Sequence, residues 1–438
     1  MYSYTPQARL NVRRFYNACD PDKVLNMAIA QDRQYYINFS AVRGSEIVEE
    51  LGQAIALADQ PKCQLFTGHI GCGKSTELLR LKAELEQQGF HVVYFRSTGE
   101  LEVVDVDITD ILLVIARNVS ESLEAVGIKL KPSYFASLLA EIGAFLQTPI
   151  DLEAEFSIGV AKVTAKTKES PEARSKLREF LERRTNNILD SINHELLLPA
   201  NQILQRQGIA GLVVIVDDLD RVQDTTKPWG RPQPEYLFID RGEQLRGLKC
   251  HLVYTIPLGL IFSNEFGILQ DRLGNINVLP MVPVQLRNGS EYKAGMARLR
   301  QMVLVRAFPD LADNEDELLN RVPEVFDSFE TLNRLCRVSG GHVRNLMRLL
   351  HTCIPKKRPP ITRDTLEKVV REFCNQRRMA ITAEGWNLLR KVAQEKKVDG
   401  EEGYRTFLRN MLVFEYRDLE GSWFNINPVL AEAKEFKL

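Results

Sequence analysis

The octapeptide Gly68-His69-Ile70-Gly71-Cys72-Gly73-Lys74-Ser75 constrains this chain more than any other feature. It lies between a short apolar run, residues 64–67, and a segment, residues 74–88, whose pattern predicts a helix stopping before Gly89. A strand that turns through glycines into a helix start brings backbone N–H groups and the positive end of the helix dipole to one place. The spacing GxxxxGK[ST] in that context points to phosphate, and average residue usage produces it by accident on the order of once in a hundred chains this long. Gly68 to Thr76 are the candidate phosphate-binding residues. In this pattern Lys74 meets the β- and γ-phosphates and the Ser75 hydroxyl ligates Mg²⁺.

The flanking pattern extends this start into a sheet. Residues 47–57 carry apolar positions at helical spacing, and residues 91–97 (HVVYFRS) read as a buried strand, so strand, loop, helix and strand form a parallel βαβ unit. Residues 212–216 give five apolar positions ending in Asp217 and Asp218, and residues 250–257 and 275–284 supply two further strands. The intervening 100–208 stretch is too long for a crossover and reads as an insertion. Within it, residues 153–168 alternate, with Ala154, Phe156, Ile158, Val160 and Val163 facing one way as a β-ribbon, and a charged helix runs from Pro171 to about residue 197, ending near Pro199. The Pro-rich residues 225–235 form a loop. Residues 292–370 are helical with a break at Ser339-Gly340-Gly341-His342, and a last helix runs through Arg377 and Arg378 after the basic linker 356–360. Two short helices and a hairpin, 413–417 with 423–426 around Gly421, predict a winged helix.

In a parallel sheet ligands bind at the carboxyl ends of the strands, which places Asp217 and Asp218 for Mg²⁺ and for the attacking water respectively. A strand-ending turn with two solvated acids is the alternative. Gly68 to Ser75 and Val213 to Asp218 together resemble the Walker A and Walker B motifs of P-loop ATPases of the AAA+ and STAND group, and Val216-Asp217-Asp218-Leu219-Asp220-Arg221 is similar to the DDLDR Walker B of KAP ATPases. The resemblance implies an α/β fold, a P-loop NTPase with a parallel doubly wound sheet followed by a helical lid and a C-terminal winged-helix domain. The expected limits are an arm at 1–45, a core at 46–285, a lid at 286–378 and the winged helix at 379–438. It further implies ATP as ligand, Thr255 at the sensor 1 place, Arg344 at the sensor 2 place, Arg272 as a finger reaching a neighbour's site, and Arg43 beside the adenine. Thr255 has an alternative as a buried hydroxyl on a backbone carbonyl, and Arg344, Arg272 and Arg43 have one as ordinary surface or helix arginines. Most AAA+ hydrolases carry Glu where Asp218 stands, which leaves turnover slower than binding would allow.

Composition narrows the partners. Lys+Arg 57 against Asp+Glu 58 gives a net charge of -1, so no bulk field draws the chain to nucleic acid or an anionic membrane. No apolar stretch reaches about 18 residues and the N-terminus lacks a secretion signal, so a cytoplasmic protein is expected. Seven scattered cysteines form no metal-ligand spacing and fit core positions in a reducing compartment. The implied activity is an ATP-binding switch, with ATPase activity slow or dependent on assembly, that couples nucleotide state to self-association or a protein partner, with bacterial antiphage defence a fitting setting. A DNA-acting AAA+ ATPase and a non-hydrolysing ATP-gated scaffold are the other classes. The helix at 401–411 offers Arg405 and Arg409 to DNA but also Glu401 and Glu402, and the basic stretch 356–378 is the better patch.

Overall fold

The computed structural model describes residues 9–44, 46–130, 133–146, 156–399 and 402–437. Contacts divide the chain into two compact units. One comprises Val48–Thr67 and Leu78–Val278, and the other comprises Met1–Ile47, Gly68–Glu77 and Leu279–Leu438.

In the first of these, β1 (Cys63–Gly68), β2 (His91–Arg96), β3 (Leu212–Asp217), β4 (His251–Thr255) and β5 (Ile276–Leu279) form one sheet in the order β2-β3-β4-β1-β5. The β2–β3, β3–β4 and β1–β4 pairs are parallel, with Arg96 opposite Asp217, Val216 opposite Tyr254 and Phe66 opposite Thr255. β3 is buried at every position, which is why it reads as an unbroken apolar run and not an alternation.

In the region at 100–208 every described element is a helix. Its centre is the helix Ile108–Ala125, opened by a capping box between Asp107 and Asp110 and buried on nearly all sides through Ile111-Leu112-Leu113-Val114-Ile115-Ala116. The β-ribbon expected at 153–168 is not formed. Residues 153–155 lie outside the described residues, and Phe156–Glu169 is an α-helix packed on Ile108–Ala125. Val163 is fully buried while Ile158 is 45% exposed, so burial follows the helical period and tertiary packing overrides the local alternation. The charged helix begins with Pro171 after the Ser170 cap as expected. It runs past Pro199 to Arg206 through a π-turn at Ile192–Leu197, and Pro199, which has no N–H to donate, follows directly on that turn, where the α-helical hydrogen-bond ladder is already interrupted.

In the other unit, helix Val12–Ala18 packs on Lys293–Ala307, and the ring of Tyr16 stacks on His351 at 3.9 Å. Helices Phe329–Ser339, Val343–Lys356 and Arg363–Arg378 follow one another, and the break between the first two is made by Gly340 and Gly341 at φ 62° and 73°. The chain closes with Ala383–Glu395, Glu402–Arg409 and an antiparallel hairpin of β6 (Val413–Asp418) and β7 (Gly421–Ile426), in which Tyr416 faces Trp423. All seven cysteines are free, six buried and Cys63 half-buried. Among the described residues no helix is long and apolar enough to cross a membrane.

Candidate functional site

The glycine-rich loop owes its shape to backbone angles that few side chains tolerate. Gly68, Gly71 and Gly73 have φ of 148°, 89° and 113°. At Gly71 a Cβ would also stand 2.8 Å from the Arg344 Cβ, so this position excludes a side chain twice over. Three successive carbonyls of the loop are engaged by donors. His342 Nε2–H donates to Ile70 O at 2.8 Å, the Arg344 amide to Gly71 O at 3.1 Å, and Arg43 Nη2 to Cys72 O at 2.7 Å. Within the loop the Cys72 amide donates to His69 O at 3.1 Å. Lys74 Nζ donates to Gly68 O at 2.8 Å and His69 O at 3.0 Å, contacts that phosphate oxygens would replace. Ser75 and Thr76 open the helix Lys74–Gln87, and the Thr76 hydroxyl accepts from the Leu25 amide at 3.4 Å.

The resemblance set Arg43 beside the base. Its guanidinium is 3% exposed, held on Cys72 O, and stands 3.9 Å from Glu77. Arg344, expected as a sensor, points its side chain at Pro21 O at 3.3 Å and Asp22 at 3.8 Å.

The carboxyl end of β3 has a different character. Asp217 Oδ2 accepts from Tyr94 Oη at 2.8 Å, and Oδ1 accepts from the Asp218 amide at 2.7 Å. Asp218 adopts φ 64°, the left-handed region that a short polar side chain tolerates better than most. Its carboxylate accepts from Arg96 Nε at 2.7 Å and Thr98 Oγ1 at 2.8 Å, and pairs with Arg221 Nε at 3.0 Å. Burial works against its charge, but the bonds from Thr98 and Arg96 and the nearby Arg221 outweigh it and hold the carboxyl below the usual carboxylate range. Tyr94 is pushed far up, by burial first and then by Asp217, so it stays a neutral donor.

Asp217, Asp218 and Asp220 are all buried and offer oxygens within 4.8 Å of one another. An all-oxygen carboxylate set suits a hard cation such as Mg²⁺. The Thr255 hydroxyl donates to Val216 O at 3.4 Å inside the sheet. Arg272, in the last turn of Phe266–Leu273, donates to Ile239 O, and its own carbonyl accepts from Arg246.

Sequence reading passed over the partners of these groups. Arg96 and Thr98 carried a usable signal, since polar residues at the carboxyl end of a predicted parallel strand face the ligand edge. Arg221 lay inside the DDLDR string. His342 was quoted only as part of a break, and nothing local marks it as a donor to the loop. The basic stretch 356–378 is laced with acids: Lys356 pairs with Glu372, Arg363 with Glu367 and Arg378 with Glu435. Such a face has less free charge for a phosphate backbone than its sequence implies.

No family model matches the chain, and no curated protein matches it. Among solved structures it is similar to the ORC2 protein of Aeropyrum pernix in ADPNP–ADP complexes, at 11% identity and TM-score 0.41 over 98% of this chain and 97% of that one. It is similar to CDC6P from Pyrobaculum aerophilum at 11% identity and TM-score 0.37 over 96% and 97% of the two chains. For a RuvB variant from Thermotoga maritima the values are 13% and 0.36 over 92% and 95%. The chain's own strands define its class: an α/β P-loop fold with a parallel five-stranded sheet and a mostly helical remainder.

Proposed function

We propose that this chain is an AAA+/STAND-type switch that binds ATP on residues Gly68 to Thr76 and signals by nucleotide state, through self-association or a protein partner, more than by rapid turnover. The observation that carries the reading is the contrast in hydrogen bonding. The loop has three successive carbonyls engaged by donors from outside it, so its neighbours occupy acceptors and not the groups that would meet phosphate, whereas the Asp218 carboxylate is already satisfied by Arg96, Thr98 and Arg221. A carboxylate stabilised as an anion is a weak proton acceptor, which supports slow hydrolysis. Ser75 and Asp217 would hold Mg²⁺, which neutralises phosphate charge when bound. Lys74 then exchanges two backbone carbonyls for phosphate oxygens. Asp218 orients water once Arg96 or Thr98 releases it, Thr255 and Arg344 report on the γ-phosphate, and Arg272 acts in a neighbour's site. In this reading residues 46–285 are the nucleotide core with an insertion at about 100–208, 286–378 the lid and 379–438 a winged helix.

The test is molar mass by light scattering, with ADP and with a non-hydrolysable ATP analogue, on the wild type and on Lys74→Ala. Lys74→Ala is expected to lose ATP affinity by about 100-fold or more, since it removes charge-assisted bonds to phosphate. The analogue is expected to raise the mass of the wild type alone. Undiminished affinity in Lys74→Ala refutes the site, and an unchanged mass in analogue-saturated wild type refutes self-association.

A further inference from the structure

The hydrogen bonds around the phosphate loop continue into the C-terminal hairpin. The Glu415 amide of β6 donates to His69 Nε2 at 2.9 Å, and the Glu415 carbonyl accepts from the Met281 amide at 3.0 Å. Glu415 faces Phe424 of β7, and its outward N–H and C=O are the groups that an edge strand leaves unpaired. Here both are used, and one of them is used by the phosphate loop.

The neighbouring ring fixes the geometry. Phe414 lies edge-on to His69 at 5.8 Å and stacks on His342 at 5.5 Å, so a single aromatic side chain of β6 touches both histidines that bond at the loop. Tyr416, two residues on, donates to Gly340 O at 2.8 Å and anchors the strand beside the turn that starts helix Val343–Lys356.

The proton positions follow from the partners. His342 Nδ1 accepts from the Asn345 amide at 3.0 Å as the cap of that helix, so its proton is on Nε2, the atom facing Ile70 O. His69 accepts at Nε2, so its proton is on Nδ1. Both roles need neutral imidazole. Burial, the first cause at each ring, lowers both to about 3, with Lys74 adding to the effect at His69.

We propose that His69 and His342, held by Phe414 and the Glu415 amide of β6, are positioning residues that keep the phosphate loop in its anion-binding shape, so that hairpin seating and nucleotide affinity form one coupled equilibrium. The proposal rests on the reading of the loop as a nucleotide site. Coupling of this kind is reciprocal: if a seated hairpin favours binding, bound nucleotide protects the hairpin by the same factor. The C-terminal hairpin is thereby the element that reports loop occupancy.

The experiment uses the full chain, with ADP and a non-hydrolysable ATP analogue as probes. Hydrogen exchange read by mass spectrometry on peptides spanning Val413–Asp418 is expected to slow when either nucleotide is added to the wild type. His69→Phe keeps the ring and loses the acceptor. His342→Asn keeps the cap acceptor and loses the reach to Ile70, while His342→Gln places an N–H near the Nε2 position. His69→Phe and His342→Asn are each expected to weaken nucleotide affinity by about 3- to 10-fold, the worth of one net hydrogen bond, with His342→Gln recovering most of the loss. In His69→Phe the nucleotide-dependent protection of the 413–418 peptides disappears. Unchanged protection in nucleotide-saturated wild type overturns the proposal and needs no variant to fold. Wild-type affinity in both His69→Phe and His342→Asn overturns it as well. A wild type that binds neither nucleotide overturns the function itself, and is told apart because the affinity is then absent at the start and not lost in the variants.

Discussion

The phosphate loop and the acidic end of β3 differ in what their neighbours have done to them. Around the loop the donors His342, Arg344 and Arg43 take carbonyls, which are acceptors and not the groups that would meet phosphate. At β3 the donors Arg96, Thr98, Arg221 and Tyr94 take the carboxylates themselves, the groups on which chemistry would depend. In the proposed function the first arrangement would prepare binding and the second would restrain reaction, so affinity and turnover would be set by separate contacts and could be altered separately.

The most severe way to probe the comparison is Asp218→Asn, which is isosteric and removes the charge. Turnover is expected to fall on the order of 100-fold with ATP affinity nearly unchanged. If steady-state assays give wild-type turnover, another residue handles the water and the acidic end is structural. Arg96→Met acts in the opposite direction. It removes one of the cations holding Asp218 and is expected to raise turnover by about 3- to 10-fold, the release of one charge-assisted bond, again at constant affinity. A drop in turnover with preserved melting temperature would mean that Arg96 supports the reaction and does not restrain it.

The smallest expected effect is on pH dependence. His69 and His342 are lowered to about 3 by burial, from an ordinary value of 6.5, so the folded chain binds fewer protons there than the unfolded one. The stability they carry is complete above about pH 6.5 and is lost as pH falls toward 3. Glu415, pushed up to about 7 by burial, acts in the opposite sense: its contribution is present below its unfolded value and is lost as pH rises through 7. Two histidines outweigh one carboxyl, so the melting temperature is expected to fall between pH 7 and pH 5. The fall steepens in Glu415→Gln and becomes shallower in His342→Gln. Parallel curves for all three chains would show that these buried groups are not what the pH acts on. Asp218 remains ionised over this range because its partners hold it below the usual value, so acid weakens the loop side first.

Much of the architecture was legible because each element carried its signal within a few residues. β1, β3 and β4 are apolar runs bounded by breakers, helix Lys74–Gln87 follows a glycine loop, and the β6–β7 hairpin brackets Gly421. The helix Ile108–Ala125 was missed although Asp107 and Asp110 form a capping box, since its apolar run Ile111 to Ala116 has no period to read when the helix is buried on most sides. The misread ribbon at 153–168 is the same failure from the other direction. A short stretch satisfies both periods, and only the neighbouring helix selects one.

The sequence by itself determined the phosphate loop, the parallel strands that carry it and the acids at the end of β3, because those features depend on backbone angles, burial pattern and strand polarity within a local window. Only the tertiary structure decided who holds them. His342 meets Ile70 across 272 residues of chain, and Glu415 meets His69 across 346. Contacts of that separation leave no periodic trace, since a single hydrogen bond places no demand on the residues to either side of its donor. The same holds for Asp218. Its identity is written in DDLDR, but whether it is free or restrained is settled by β2, which lays Arg96 beside β3 through parallel pairing of strands more than a hundred positions apart.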